Sequence, residues 1–95
     1  MTNDIKKLID FFQSGNEIEA KKKAVNLLKK NKSEEIIYNI YGSIFLKEGN
    51  YNKAIEIFKL GIEKNINAIG LLNNLAIAYK NIGKYKKSEK IFEQL

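Results

Sequence analysis

The sequence predicts an all-α solenoid built from helix-turn-helix hairpins, and three observations support this fold. The 95 residues contain no Pro and only six Gly, so little interrupts a helix and few tight turns are available for a β fold. Apolar residues recur at i, i+3, i+4 and i+7, the spacing of an amphipathic helix. The sequence also resembles itself when it is shifted by 34 residues, a period typical of repeat architectures.

The 34-residue shift divides one domain, residues 1–95, into units 1–34, 35–68 and 69–95. The shift aligns residues of like size or chemistry, such as Gly49 with Gly83, Tyr51 with Tyr85, and Phe58 with Phe92. The first unit is a more degenerate copy, and the third stops seven residues short of a full period. We therefore predict three hairpins, of which the last is truncated.

Each unit predicts two helices separated by a Gly. In the second unit the helices span about 35–48 and 51–65, because Gly49 can close the first helix in a left-handed conformation and Asn50 can cap the second. Small residues stand where two helices must approach closely, and they are Ala20, Ala54 and Ser88. We expect Tyr51 and Tyr85 to pack at the hairpin junctions.

This pattern of large, small and aromatic positions resembles the tetratricopeptide repeat. The second unit carries the resemblance through Tyr38, Tyr41, Gly42, Phe45, Ala54 and Phe58. The third carries it through Leu72, Leu75, Ala76, Tyr79, Ser88 and Phe92, and the first through Leu8, Phe11 and Ala20. The chain differs from the family in having Tyr38 in place of Trp, and Lys32 and Ile66 in place of Pro. The resemblance implies a right-handed solenoid.

The resemblance further implies a non-catalytic scaffold that binds a protein or peptide ligand, either a peptide or a helix, in a concave groove lined by the first helix of each unit. The predicted groove residues are Ile5, Ile9, Phe12, Ile36, Asn39, Ile40, Ser43, Asn73, Asn74 and Ile77. Asn side chains suit hydrogen bonding to a peptide backbone, and the Ile and Phe side chains offer apolar contacts. The alternative is that these Ile residues pack between units and the Asn content reflects a biased composition.

A second functional hypothesis concerns the last helix. Repeat arrays usually end in a polar capping helix, yet the final helix carries Ile91, Phe92 and Leu95. We expect part of this apolar surface to be exposed. Either more repeats or a capping helix follow in the natural protein, or the chain forms a homo-oligomer through this surface or through swapped hairpins.

The charge pattern disfavours a nucleic-acid partner. The net charge is +6, but all 17 basic residues are Lys, so the planar Arg fork that reads bases and grips phosphate is absent. The formal charge by unit is +3, 0 and +3, with the Lys residues concentrated on the second helices, which face away from the groove. A solvated outer surface is the simplest interpretation.

Catalytic and metal-binding functions are also disfavoured. The sequence has no His and no Cys, which removes the commonest metal ligands and the usual general base, so we predict no enzyme activity, no metal site and no cofactor. No apolar run approaches the ~20 residues of a membrane-spanning helix. The first ten residues do not read as a secretory signal, so we expect a cytoplasmic protein.

Overall fold

The structure, a computed structural model that describes residues 3–95, consists of six helices. In chain order they are α1 (Asn3–Gln13), α2 (Glu17–Lys29), α3 (Glu35–Lys47), α4 (Tyr51–Lys64), α5 (Ile69–Asn81) and α6 (Tyr85–Gln94). The described residues contain no strand. Helices α2, α4 and α6 begin at residues 17, 51 and 85, which are 34 apart. The prediction of an all-α helical solenoid is confirmed.

The turn inside each hairpin contains a Gly in the left-handed region. Gly15, Gly49 and Gly83 all have φ of +81°, a conformation that costs a residue with a Cβ about 1–2 kcal/mol. After the first two of these glycines, Asn16 and Asn50 accept hydrogen bonds from the third amide of the following helix, at 3.3 and 3.4 Å. The predicted Gly stop and Asn cap are both confirmed in these turns.

Asn residues close the turns between hairpins, where the family pattern has Pro. Asn31 and Asn67 adopt left-handed φ values of 61° and 60°, which Asn tolerates better than most residues. Asn65 Nδ2 donates to the carbonyl oxygens of Ser33 and Gly61, both at 2.9 Å. One side chain thus covers an end carbonyl of α4 and joins the two inter-hairpin turns.

The hairpins stack so that neighbouring first helices contact each other, α1 with α3 and α3 with α5. Helix α3 contacts α1, α2, α4 and α5, which places it at the centre of the array. One core cluster lies between the first and second hairpins and includes Leu8, Leu27 and Ile37. The other lies between the second and third and includes Phe58 and Leu71. Tyr41 and Leu28 are partly buried against both clusters, so the core is continuous.

Two helical glycines allow the closest approaches in the core. A Cβ at Gly42 of α3 would overlap the ring of Phe58 on α4. A Cβ on Gly61 would lie 2.6 Å from Tyr38 and 2.8 Å from Leu71. The three small positions predicted for close helix contact are all buried, namely Ala20, Ala54 and Ser88. The small or absent side chains at these five positions allow the close spacing of the helices.

In the first repeat, the large and the small residue of the pair equivalent to Gly42 and Phe58 are exchanged. The positions equivalent to Gly42 and Phe58 are Leu8 and Ala24, and both are fully buried. The large residue therefore lies on the first helix of this hairpin and the small one on the second. This exchange conserves volume across the pair and explains why the first repeat departs from the pattern of the other two.

The expectation for the two tyrosines after the Gly turns is only half right. Tyr51 is half-buried against its surroundings, as expected. Tyr85 is 65% exposed, so its predicted packing at a hairpin junction is wrong. The physical reason is that α6 packs on α5 alone among the described helices, whereas α4 packs on both α3 and α5.

We predict that Gly42→Ala destabilises the fold by about 1–3 kcal/mol, because the new methyl group overpacks against the Phe58 ring. Ala is the better helix former by about 1 kcal/mol, so a stabilised variant would contradict the close contact. The measurement is urea unfolding followed by circular dichroism. In a Phe58→Leu background, where the ring is removed, the same change should cost less, and this double-mutant cycle isolates the contact.

A second prediction concerns the ion pair that joins α1 to α2. Lys23 Nζ donates to Asp4 Oδ1 at 2.7 Å, and this hydrogen bond, assisted by the charges of Lys30 and Lys7, lowers the pKa of Asp4 below its ordinary 3.8. The pKa of Asp4 is thus lower in the folded chain than in the unfolded chain. The contribution of this ion pair to the free energy of unfolding is therefore complete when the pH is above the pKa of Asp4 in the unfolded chain, and it is lost as the pH falls through the pKa of Asp4 in the folded chain.

Lys23→Met should raise the pKa of Asp4 toward its ordinary value in an NMR titration of the carboxyl carbon. Lys22→Met is the matched control, because Lys22 pairs with Glu19 instead. Equal titration curves for Asp4 in the two variants would show that the Lys23 contact does not shift this carboxyl group.

Candidate functional site

The first helices of the three hairpins, α1, α3 and α5, lie side by side and form one surface. A cleft of about 410 Å³ opens on this surface between α1 and α3. Its lining consists of Ile9, Phe12, Gln13, Ile36, Asn39, Ile40 and Ser43. The lining includes six of the ten residues predicted for the groove. These side chains come from two helices but share one face because each helix repeats every 3.6 residues.

The apolar part of the cleft is continuous with the core. Ile40 lines the cleft yet is only 4% exposed, so it forms the floor. Ile9 and Phe12 are half-buried at the sides, and Ile36 is exposed at the rim. This arrangement offers a shallow apolar site that is held in place by packing below it.

Not every predicted groove residue reaches the cleft. Ile5 is buried in the first core cluster and offers almost no accessible surface, so packing between helices is its evident role. Ile77 is half-buried on α5, beyond the cleft, and Asn73 is exposed on the same helix. The structure thus places these three residues outside the cleft between α1 and α3.

Two of the predicted asparagines bind each other. Asn74 Nδ2 on α5 donates to Asn39 Oδ1 on α3 at 2.6 Å, and Ser43 Oγ donates to the same oxygen at 3.4 Å. A Cβ on Gly70 would lie 3.2 Å from Asn39 Nδ2, so the missing side chain at this position leaves room for the amide. The oxygen of Asn39 is thus occupied, and Nδ2 is the remaining polar group of this side chain.

The sequence reasoning treated the asparagines as separate ligand contacts and missed this pair. A usable signal was present, because Asn39 and Asn74 are the fifth and sixth residues of successive units, and neighbouring first helices bring such positions together. The pair fixes α5 to α3 along the groove. It also gives the polar side of the groove a defined orientation.

Ion pairs on the outer side join the first repeat to the second. Lys21 Nζ lies 2.9 Å from Glu48 Oε1 and 4.7 Å from the centre of the Phe45 ring, and Lys47 Nζ lies 3.7 Å from Glu17 Oε1. In the middle repeat, Lys53 pairs with Glu56 at 3.6 Å, one helical turn further along α4. These contacts are partly exposed, so each stabilises only modestly.

The residues predicted for self-association occupy the end of the array. Ile91 is partly buried and packs against the second core cluster, so it faces the interior of this chain. Phe92 and Leu95 are 42% and 50% exposed. Exposure of this surface is as expected, and self-association through it stays a prediction.

Residues 3–95 contain no group of three or more acidic side chains that could hold a metal ion. None of the helices in this part of the chain combines the length and the apolar character needed to cross a membrane.

The stacked hairpins, the 34-residue helix spacing and the cleft on the first-helix side define a helical-repeat protein. A family model of the tetratricopeptide repeat matches residues 36–63 and 69–95, which is more than half of the chain. The chain therefore belongs to the tetratricopeptide repeat family. This family is a non-catalytic repeat that mediates protein–protein interaction. The first hairpin lies outside the two matches, but its Gly15 turn and Asn16 cap have the same geometry as those of the second hairpin.

Two relatives were found by sequence. The chain is 38% identical over 61 residues to the BBSome complex member BBS4 of Bos taurus, an alignment that covers 64% of this chain and 11% of that protein. It is 28% identical over 71 residues to the uncharacterized protein ycf37 of Pyropia yezoensis, which covers 75% of this chain and 40% of that protein. The chain thus matches well under two thirds of the length of either relative.

We predict that Asn74→Ala destabilises the fold by about 1 kcal/mol more than Asn73→Ala, because it removes the hydrogen bond to Asn39. Both changes make the same residue in the same helix, so the gain in helix propensity cancels between them. Urea unfolding of the two variants measures the difference. Equal stabilities would show that the asparagine pair contributes nothing to joining α3 and α5.

Proposed function

We propose that this chain is a protein-interaction scaffold whose concave groove binds a peptide or helix of a partner protein. The observation that carries the proposal is the cleft between α1 and α3, which combines an apolar floor with an amide side chain at its edge. Sites of this kind bury an apolar anchor and fix its orientation with a few polar groups. The family to which the chain belongs supports an interaction role in general, and the groove is our specific assignment.

The chemistry of the groove defines the ligand that fits it. An apolar side chain of the ligand would lie on Ile40 between Phe12 and Ile36. Backbone carbonyl groups of the ligand would accept hydrogen bonds from Asn39 Nδ2, whose own oxygen is occupied by Asn74 and Ser43. The groove is thus expected to select a segment with one apolar anchor and accessible backbone carbonyls.

The test is a peptide-library selection on the intact chain, followed by calorimetry with the selected peptide. Phe12→Ser should weaken binding about tenfold or more, because an aromatic wall of the cleft is lost. Asn39→Ala should also weaken binding, because it removes the amide donor at the edge of the cleft.

The matched control is Asn52→Ala, which changes an exposed asparagine on the second helix α4. This control should bind as the wild type does. A peptide whose affinity is unchanged by all groove variants would contradict the proposal, and circular dichroism of each variant checks that the fold is retained.

A further inference from the structure

A small polar cavity lies at the junction of the first two hairpins, where α2 ends and α3 begins. It has a volume of about 240 Å³ and shares no lining residue with the cleft between α1 and α3. We refer to it as the junction cavity, and it is lined by Leu28, Asn31, Lys32, Ser33, Tyr38 and Lys64. Five of these six side chains carry a polar group, so the junction cavity differs in chemistry from the largely apolar cleft.

The five polar side chains of the junction cavity are all hydrogen-bond donors. They supply two ammonium groups, two hydroxyl groups and one amide group, which belong to Lys32 and Lys64, to Ser33 and Tyr38, and to Asn31. Within residues 3–95 none of these side chains forms a hydrogen bond or an ion pair. Their donors are therefore available to a ligand.

Tyr38 supplies the donor that the fold holds most firmly. Its side chain is only 7% exposed and packs in the core cluster between the second and third hairpins. Burial raises the pKa of the Tyr38 hydroxyl above its ordinary 10.0, so this group stays protonated at neutral pH. Among residues 3–95 the side-chain atom that is buried without a partner is Glu17 Oε2, so the unpaired Tyr38 hydroxyl keeps an accessible surface.

The junction cavity carries positive charge that no lining carboxylate balances. In the described part of the chain its wall includes two lysines and no acidic residue. Glu34 and Glu63 are near in sequence, but both are exposed and neither lines the cavity. Glu35 extends toward α5, because a Cβ at Gly70 would lie 3.4 Å from its Oε1. The cavity is therefore suited to an anion.

Backbone carbonyl groups at the ends of α2 and α4 do not need these lysines as donors. The carbonyl oxygens of Leu27 and Leu28 accept hydrogen bonds from amide groups of the following turn at 3.1 Å. The carbonyl oxygen of Gly61 accepts from Asn65 Nδ2 at 2.9 Å. The turns thus satisfy these helix ends, and the ammonium groups remain free to contact a bound anion.

Two lining residues stand where this chain departs from the tetratricopeptide pattern. Tyr38 replaces Trp and Lys32 replaces Pro, and the second change adds a positive charge. At the next junction the equivalent residues are Leu72 and Ile66, which are both apolar. The donor set of the junction cavity is therefore a feature of this one junction, and the repeat pattern does not account for it.

We propose that the junction cavity binds a phosphate group, either as the free ion or as the ester of a small molecule. The ammonium groups of Lys32 and Lys64 balance its charge, and the hydroxyl groups of Ser33 and Tyr38 donate to its oxygens. A phosphate ester carries about two negative charges and three acceptor oxygens, which matches two lysines and the additional neutral donors. This site and the groove are independent of each other.

The experiment is an NMR titration of the intact chain with inorganic phosphate, with sodium chloride at equal ionic strength as the reference. Amide signals of residues 31–38 should shift and saturate with phosphate alone, with a dissociation constant of about 1 mM or lower. A parallel titration with glycerol 3-phosphate distinguishes the two sources of the phosphate group. Tighter binding of glycerol 3-phosphate indicates an ester as the ligand, and tighter binding of inorganic phosphate indicates the free ion.

Variants of the chain locate the site. Tyr38→Phe removes only the hydroxyl group and should weaken phosphate binding about tenfold, as expected for a hydrogen bond to a charged group. Lys32→Gln with Lys64→Gln should weaken binding by about tenfold or more. The matched control is Lys29→Gln with Lys59→Gln, which removes the same charge from exposed positions of α2 and α4 outside the cavity. This control should leave affinity within about twofold.

Three results would overturn the proposal, provided that circular dichroism shows a retained fold in each variant. Shifts that do not saturate, or that chloride reproduces, would indicate a general salt effect. Equal loss of affinity in the cavity pair and in the control pair of lysine variants would show attraction to net charge alone. Saturating shifts confined to residues outside 28–38 and 61–65 would place the phosphate at another site.

Discussion

The structure depends on the packing of aromatic rings against helical glycines, which have no side chain. Phe58 of α4 occupies the space above Gly42 of α3, and Tyr38 of α3 and Leu71 of α5 both lie against Gly61 of α4. These helices therefore approach more closely than a side chain at either glycine position would allow. These contacts involve α3, α4 and α5, which are the middle of the array. The first repeat keeps the same arrangement by exchanging the sizes of the two partners, with both members fully buried. Position in the repeat therefore matters through volume rather than residue identity.

The groove follows from this packing. Because α3 packs against α1, α2, α4 and α5, Ile40 belongs both to the core and to the floor of the cleft. The Asn39–Asn74 hydrogen bond then joins α3 to α5 on the same surface, so the polar edge of the groove is held by the fold before any ligand binds. A site that is supported in this way loses little conformational entropy on binding, which favours affinity from a small contact area.

The electrostatic pattern divides the molecule into regions with different properties. Five of the twelve lysines in the first two repeats pair with acidic side chains, and three of these pairs link α2 to α1 or to the end of α3. The third repeat has the same formal charge as the first, but within residues 3–95 its lysines form no ion pairs and lie beside exposed aromatic side chains. The cleft between α1 and α3 is lined by none of these lysines.

The sequence by itself determined the features that depend on local backbone chemistry. Residues within a few positions of each other set the helical periodicity, the Gly turns and the Asn caps. The structure has each of these features where the sequence predicts it. Only the tertiary structure decided which predicted groove residues became surface, since Ile5 is buried while Ile9 lines the cleft, although both lie on α1. It also decided the Asn39–Asn74 pair, the Asn65 bridge and the exposure of Tyr85. Each depends on which helix or turn from another repeat lies beside the residue, and that neighbour is about 30 or more residues away in the chain.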